Sequence, residues 1–553
     1  MIRLRPWQEE ATTKAINWLL KDRKDKHFLL NAAPGAGKTI AACTIARELF
    51  DRDEIDRVIV IAPRSEVVNQ WSKDFNLVTQ RPMSKVTGVD GNIDYLGIDV
   101  CATWSAIQGL ESGFHDLCNK NRTLVICDEH HHAAVEAAWG DSADSAFTNA
   151  SFVLVLTGTP IRSDGAQSVW MAYHDSGAIS HPADGTYTLT YGQAVDLGYC
   201  RPITFHRHEG RFTVELDTGE STQVSGNEKT ELPKNLKKIP GLQRALDYYK
   251  LTCTPQYIKG TTNPLMTGYQ ATMLEAAMIK LDDLRNRMPK AGGLVIAPSI
   301  EMAKYFVELI EIMEGEAPML VHSQLPNAES RIAAFRNSSK KWLVSVAMVS
   351  EGVDIPRLRV LVYLPNARTE LAFRQAVGRV VRTSSPDDDT RAYVVIPTLE
   401  AFEQYARRVE EEIPHHKSKD KEAKTKKCPI CNHENAIGAA HCSACDHEFP
   451  KASPRLKPCP SCGTDNPPGA KKCCMCGHSF DGEFNLKLDE ALRTGAIIRG
   501  MDIPELEVVQ AEGMADHVRA AILQSGDARL IKLLKVMPEE VLGHLKTILD
   551  SKG

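Results

Sequence analysis

Short apolar runs recur along the chain up to Pro397, separated by stretches with helical periodicity. Phe28–Asn31, Val58–Ala62, Thr123–Cys127 and Phe152–Leu156 are rich in β-branched and large apolar side chains and lack polar alternation. Strands of that kind are buried on both faces, as in a parallel sheet covered by helices. A second series follows in Gly293–Ala297, Met319–Val321, Trp342–Val346, Val360–Tyr363 and Tyr393–Ile396. Two series predict two α/β lobes, placed here at 1–200 and 201–410. From Phe205 to Pro289 the chain is polar and less regular until a helical run, Tyr269–Met288. That stretch reads as the start of the second lobe with an insertion near 207–268.

The pattern changes after residue 410. The span 411–427 is a solvated basic linker, with six lysines against two acids between His415 and Lys427. A gapless internal repeat then fills 428–480. The tail, 481–553, is mostly helical in pattern, most clearly at Leu530–Val536 and Val541–Leu549.

The formal net charge of -5 excludes a protein that grips nucleic acid by bulk charge, leaving local basic patches. The first residues lack a basic stretch followed by an apolar run, and no apolar run reaches the roughly 20 residues that span a bilayer. A cytoplasmic protein with no membrane partner is expected. Nine of the 15 cysteines fall between Cys428 and Cys476. In a reducing compartment, such clustering points to metal rather than disulfides.

Ala32–Thr39 (Ala-Ala-Pro-Gly-Ala-Gly-Lys-Thr) lies between a predicted strand and a helical run, Ile40–Phe50. In the loop Pro34-Gly35-Ala36-Gly37, the backbone N–H groups from Gly35 onward would close around phosphate oxygens, helped by the helix dipole. Lys38 would reach the outer phosphates of ATP, and Thr39 would hold Mg2+. Asp128-Glu129 ends the apolar strand at Thr123–Cys127. An acidic pair there calls for a counter-ion; Asp128 would bind Mg2+ and Glu129 would orient or deprotonate the attacking water.

These residues resemble the superfamily 2 helicases and translocases, in the DExH branch of the type I and type III restriction motors and excision-repair helicases. The likeness covers about Leu4 to Pro397 and implies two RecA-like lobes. It implies that Leu4–Gln8 reads adenine through Gln8. It also implies that Ile61–Arg64 and Ala102–Ser105 touch the nucleic-acid backbone, through Arg64 and Thr103. His131, Thr157 and Thr159 would link hydrolysis to movement. Ser350–Pro356 resembles a block at the lobe interface, with Gly352 and Asp354 near the nucleotide. Gln375–Arg382 is the most specific match after the phosphate loop. On one helix Gln375, Arg379 and Arg382 share a face, with Gln375 placing water and both arginines stabilising transition-state charge. ATP would bind between lobes, and nucleic acid, DNA more than RNA, would be stepped along its backbone.

Each repeat has the spacing Cys-x2-Cys, ten residues, Cys-x2-Cys: Cys428, Cys431, Cys442 and Cys445, then Cys459, Cys462, Cys473 and Cys476. Four thiolates suit tetrahedral Zn2+, so two structural zinc ions are expected. Asn432, Asp446, Gly463 and Gly477 follow the pairs, where a left-handed backbone is needed. Cys474 is left over. The module resembles tandem zinc ribbons, which bind nucleic acid or a protein partner. Three readings follow: a DNA motor, an RNA-dependent ATPase, and a recruitment subunit docking a nuclease or replication partner through the module or tail.

Overall fold

The computed structural model describes residues 3–22, 24–63, 65–87, 98–129, 137–158, 170–174, 179–215, 221–226, 246–258, 260–346, 355–383, 388 and 390–413, and short stretches of 425–487 around the cysteines. Two compact units form. One holds Met1–Ala32 and Gly37–Leu189; the other holds Ala33–Ala36 and Thr190–Arg499.

The first unit is built on seven parallel strands: β1 (His27–Ala32), β2 (Arg57–Ala62), β3 (Met83–Val86), β4 (Asp99–Thr103), β5 (Thr123–Cys127), β6 (Phe152–Thr157) and β7 (Thr186–Leu189). Their order is β3-β4-β2-β5-β6-β1-β7. Every residue of β2 and β5 is buried, which explains why those runs carry no polar alternation. Helices α1 (Pro6–Ile16), α2 (Lys38–Asp51) and α3 (Ser65–Thr79) belong to this unit. β4 escapes a hydrophobic-run search because it opens on Asp99. That side chain is buried, accepts the Val58 N–H at 2.8 Å and pairs with Arg81 Nε at 2.7 Å.

The second unit carries another all-parallel sheet. Its strands are β8 (Ile203–His208), β11 (Gly292–Ile296), β12 (Met319–Val321), β13 (Trp342–Ser345), β14 (Leu358–Tyr363) and β15 (Ala392–Pro397), in the order β8-β15-β14-β11-β13-β12. The long helix α4 (Tyr269–Arg287) packs on this sheet, burying Met273, Leu274, Ala277, Met278 and Leu281 at helical spacing. The expected strands of both series are present, and the α/β class with two RecA-like lobes holds.

Edge strand β8 runs into the stretch whose sequence is polar; Thr204 and the consecutive His206, Arg207 and His208 mask the apolar Ile203 and Phe205. Beyond it lie β9 (Arg211–Glu215) and β10 (Ser221–Ser225), which pair antiparallel. Strand β16 (Glu483–Lys487), after the cysteine repeat, pairs parallel to β9. Phe484 packs against Phe212 and Tyr269, ring centroids 5.5 and 5.3 Å away. Apart from β16, the predicted helical tail lies outside the described residues.

Gln375, Arg379 and Arg382 do not share one helix. Helix α5 (Glu370–Val377) carries Gln375 and stops there. Gly378 is a weak helix former, and β-branched Val380 and Val381 follow. The Arg379 and Val380 N–H groups turn back to the Ala376 and Val377 carbonyls, closing tight turns in place of another helical turn. Both arginines therefore sit on the turn after α5.

Candidate nucleotide site and metal centre

In the first unit, the C-terminal ends of β1 and β5 gather the chemistry. Gly37, at φ +98°, caps α2, and an added Cβ would sit 2.8 Å from Gln8 Nε2, so only glycine fits that turn. α2 starts at Lys38, two residues before the expected start. Lys38 and Thr39 thus occupy its first turn, where the helix dipole favours an anion. The Lys38 ammonium donates to the Ala32 carbonyl at 3.1 Å and lies 4.0 Å from Glu129.

Asp128 follows β5 and is buried. Trp71, from α3, donates its indole N–H to the Asp128 carboxylate at 2.8 Å. Burial, then the neighbouring Glu129 charge, pushes the Asp128 carboxyl up to about 6; Trp71 and Lys38 pull the other way. Burial and a like charge oppose ionisation of this carboxyl, and a divalent cation would offset both. Glu129 has a left-handed backbone, φ 49°, uncommon outside glycine and a mark of functional turns. Thr157 ends β6 and pairs in register with Asn31 of β1, beside the phosphate loop.

Gln8 is 3% exposed and already engaged. Its Nε2 donates to the Gly37 carbonyl at 2.9 Å and its Oε1 accepts the Arg5 N–H at 2.8 Å. An amide keeps a second N–H and a second lone pair, which is the pair an adenine edge requires. Thr103 is buried and its hydroxyl caps the short helix Trp104–Gly109, accepting the Ala106 N–H at 3.3 Å. Arg64, His131, Thr159, Gly352 and Asp354 lie outside the described residues.

The loop residues Ala33–Ala36 cluster with the second unit. Gly35, at φ +81°, faces the Arg382 side chain, whose Cγ would lie 2.6 Å from an added Cβ. The Pro34 carbonyl accepts the Cys200 thiol at 3.3 Å. Gln375 and Arg379 are each 8% exposed, and Arg382 is half-buried.

At the cysteine repeat, the sulfurs of Cys428, Cys431, Cys442 and Cys445 lie within 4.8 Å of one another, as do those of Cys459, Cys473 and Cys476. Cys462 falls outside the described residues. The sulfurs of Cys428 and Cys445 are 3.5 Å apart, and those of Cys431 and Cys442 3.6 Å. Tetrahedral zinc with bonds of about 2.3 Å needs sulfur edges near ~3.8 Å, so the set fits that ion. Asp446 and Gly477 take the expected left-handed backbone, φ 58° and 69°. Cys474 is exposed and outside the sulfur group, and its N–H serves a different partner.

That partner is an asparagine that the cysteine spacing does not reveal. Asn435 donates Nδ2 to Cys442 Sγ at 3.5 Å and accepts the Ser443 N–H at 2.8 Å. Asn466 donates to Cys473 Sγ at 3.6 Å and accepts the Cys474 N–H at 2.8 Å. Each buried amide thus orients a ligand sulfur from behind. The signal was present: both stand at the same place in the repeat.

A two-lobed parallel α/β chain with a glycine loop and an acidic pair on one sheet edge has the make-up of a helicase-type protein. Two family models match: "Type III restriction enzyme, res subunit" over residues 1–162 and "Helicase conserved C-terminal domain" over residues 276–384. The chain belongs to the superfamily 2 helicases related to the restriction motors. An uncharacterised Mycobacterium leprae protein is 31% identical over 415 residues, 74% of this chain and 65% of that protein. A DNA 3'-5' translocase of Sulfurisphaera tokodaii is 24% identical over 391 residues, 69% of this chain and 79% of that protein. The fragment structure of a putative HsdR subunit of a type I restriction enzyme from Vibrio vulnificus overlays with TM-score 0.49 at 18% identity, covering 73% of this chain and 65% of that one. The chain spans less than two thirds of the length of the mycobacterial relative. No helix among the described residues is long and apolar enough to cross a membrane.

Proposed function

We propose that the chain is an ATP-driven motor acting on nucleic acid, DNA in preference to RNA. The observation that carries this reading is the grouping of Lys38, 4.0 Å from Glu129, with buried Asp128 at one sheet edge. Amides of the Pro34–Thr39 loop would cradle the phosphates. Lys38 would turn from Ala32 to the outer phosphates, and Gln8 would meet adenine. Thr39 and Asp128 would hold Mg2+, which supplies charge neutralisation on the phosphates. Glu129 would orient the attacking water with Gln375, while Arg379 and Arg382 would stabilise the charge that develops on the γ-phosphate. Thr157, Thr159 and His131, with Gly352 and Asp354, would pass the nucleotide state to contacts such as Arg64 and the Thr103 turn.

The eight repeat cysteines would hold two structural zinc ions, which contribute folding energy to their loops. The preference for DNA is supported by the Sulfurisphaera tokodaii relative, a DNA translocase by name. The test is ATP hydrolysis measured with single-stranded, duplex and forked DNA and with matching RNA. DNA is expected to stimulate turnover; stimulation by RNA alone would rule out the DNA reading.

A further inference from the structure

The turn carrying Arg379 and Arg382 has left α5, so something else must fix it. Arg201 does so at two successive carbonyls: its N–H donates to the Val381 carbonyl at 2.7 Å, and its Nη2 donates to the Arg382 carbonyl. Cys200 forms an antiparallel bridge with Arg382, and the Thr383 hydroxyl donates to the Tyr199 carbonyl at 3.2 Å.

Arg201 is itself anchored and only 1% exposed. Its Nη1 donates to the Leu358 carbonyl at 3.0 Å, and its Nη2 pairs with Asp388 Oδ2 at 2.6 Å. Arg359, 0% exposed, reaches the same carboxylate oxygen from Nη2 at 2.8 Å. Arg359 Nε also donates to Thr390 Oγ1 at 3.1 Å, and the Thr390 hydroxyl donates to Asp388 Oδ1. Burial depresses both guanidiniums, Arg201 to about 10 and Arg359 to about 9, and Asp388 draws both back up. Both therefore stay charged at neutral pH.

A core does not need such a cluster for stability, since apolar residues of like volume often serve as well or better. What the cluster adds is direction. We propose that Asp388, Arg201 and Arg359 form a positioning network that sets the Arg382 guanidinium for ATP hydrolysis by gripping the backbone of its turn. The three side chains are at most 1% exposed, so they act through Arg382 rather than on the nucleotide. The inference rests on the reading of Arg382 given above.

The test is steady-state ATP hydrolysis with saturating DNA on Asp388→Asn, Asp388→Glu, Arg382→Ala and the Asp388→Asn/Arg382→Ala double variant. Displacing a group by about 1 Å costs on the order of 100-fold in rate. Asp388→Asn should therefore lower kcat by about 10- to 100-fold with KM for ATP little changed, and Asp388→Glu should restore part of it. In the Arg382→Ala background the same substitution should cost little more, because its target is gone. Should Asp388→Asn not fold, Arg201→Lys carries the same expectation, since a single ammonium cannot span Asp388 and the Arg382 carbonyl. Wild-type kcat in Asp388→Asn, or losses that multiply in the double variant, would overturn the network alone. Full turnover in Arg382→Ala would overturn the reading of that arginine, and the network with it.

Discussion

The phosphate loop and the first cysteine cluster both present donors to an ion, by different means. At the loop, Gln8, Lys38, Trp71, Asp128 and Glu129 come from distant parts of the chain. They meet because a seven-stranded sheet aligns the ends of β1 and β5. At Cys428–Cys445 the ligands are at most 17 positions apart, and two short turns and an asparagine suffice to aim them. The first site is a product of the folded lobe. The second, so small and local, would depend on an ion to draw it together. Damage to side chains should therefore silence the loop without unfolding it, whereas removing metal should unfold the cysteine module without silencing the lobes.

The largest expected effect is metal removal. Structural zinc in small modules binds with roughly 10–16 kcal/mol at neutral pH. A strong chelator should release two zinc ions per chain by metal analysis and abolish amide protection across Cys428–Cys476, while basal ATP hydrolysis persists. Equal loss of protection across both lobes would erase the contrast.

Next come Lys38→Ala and Glu129→Gln. Removing one group that meets transition-state charge costs on the order of 100- to 1,000-fold. Turnover should fall by at least that much with an unchanged melting temperature; full turnover in either variant would unseat the loop assignment.

A smaller effect is expected behind the sulfurs. Asn435→Ala or Asn466→Ala should weaken zinc by about 10- to 100-fold in competition with a chromogenic chelator, as loss of an outer-shell partner does. Unchanged affinity would mean that cysteine spacing alone sets the site.

The smallest effect concerns a surface pair of the first unit. Asp56 accepts from Arg122 at 2.6 Å, and that hydrogen bond first, with its charge, lowers the Asp56 carboxyl to about 2. A depressed folded value stabilises above the unfolded value, and the gain fades as pH falls through the folded one. The melting difference between wild type and Asp56→Asn should be fully present above pH 4 and shrink toward pH 2; a constant difference would count against the pair.

Much of this architecture was legible because the physics behind it is local. Val58–Ala62 and Thr123–Cys127 announce buried parallel strands, Gly35 and Gly37 announce a phosphate turn, and paired cysteines announce a metal. Other parts were hidden for equally physical reasons. Helical spacing joined Gln375 to Arg379 and Arg382, yet Gly378 and the valines after it end the helix. Asp99 gives no strand signal in the sequence because its partners, Val58 and Arg81, are supplied by the fold. Arg201 and Asp388 lie 187 positions apart, so no local pattern could link them.

The pairing of β16 with β9 carries a topological consequence. Both cysteine hairpins lie in the chain between residue 413 and β16, and β16 returns to pair with β9 in the second unit, with Phe484 as the buried button. The hairpins are thus a closed loop rather than a pendant. A protease that nicked the lysine-rich stretch before Cys428 would leave the fragment docked through β16, and the two pieces would part only under denaturing conditions.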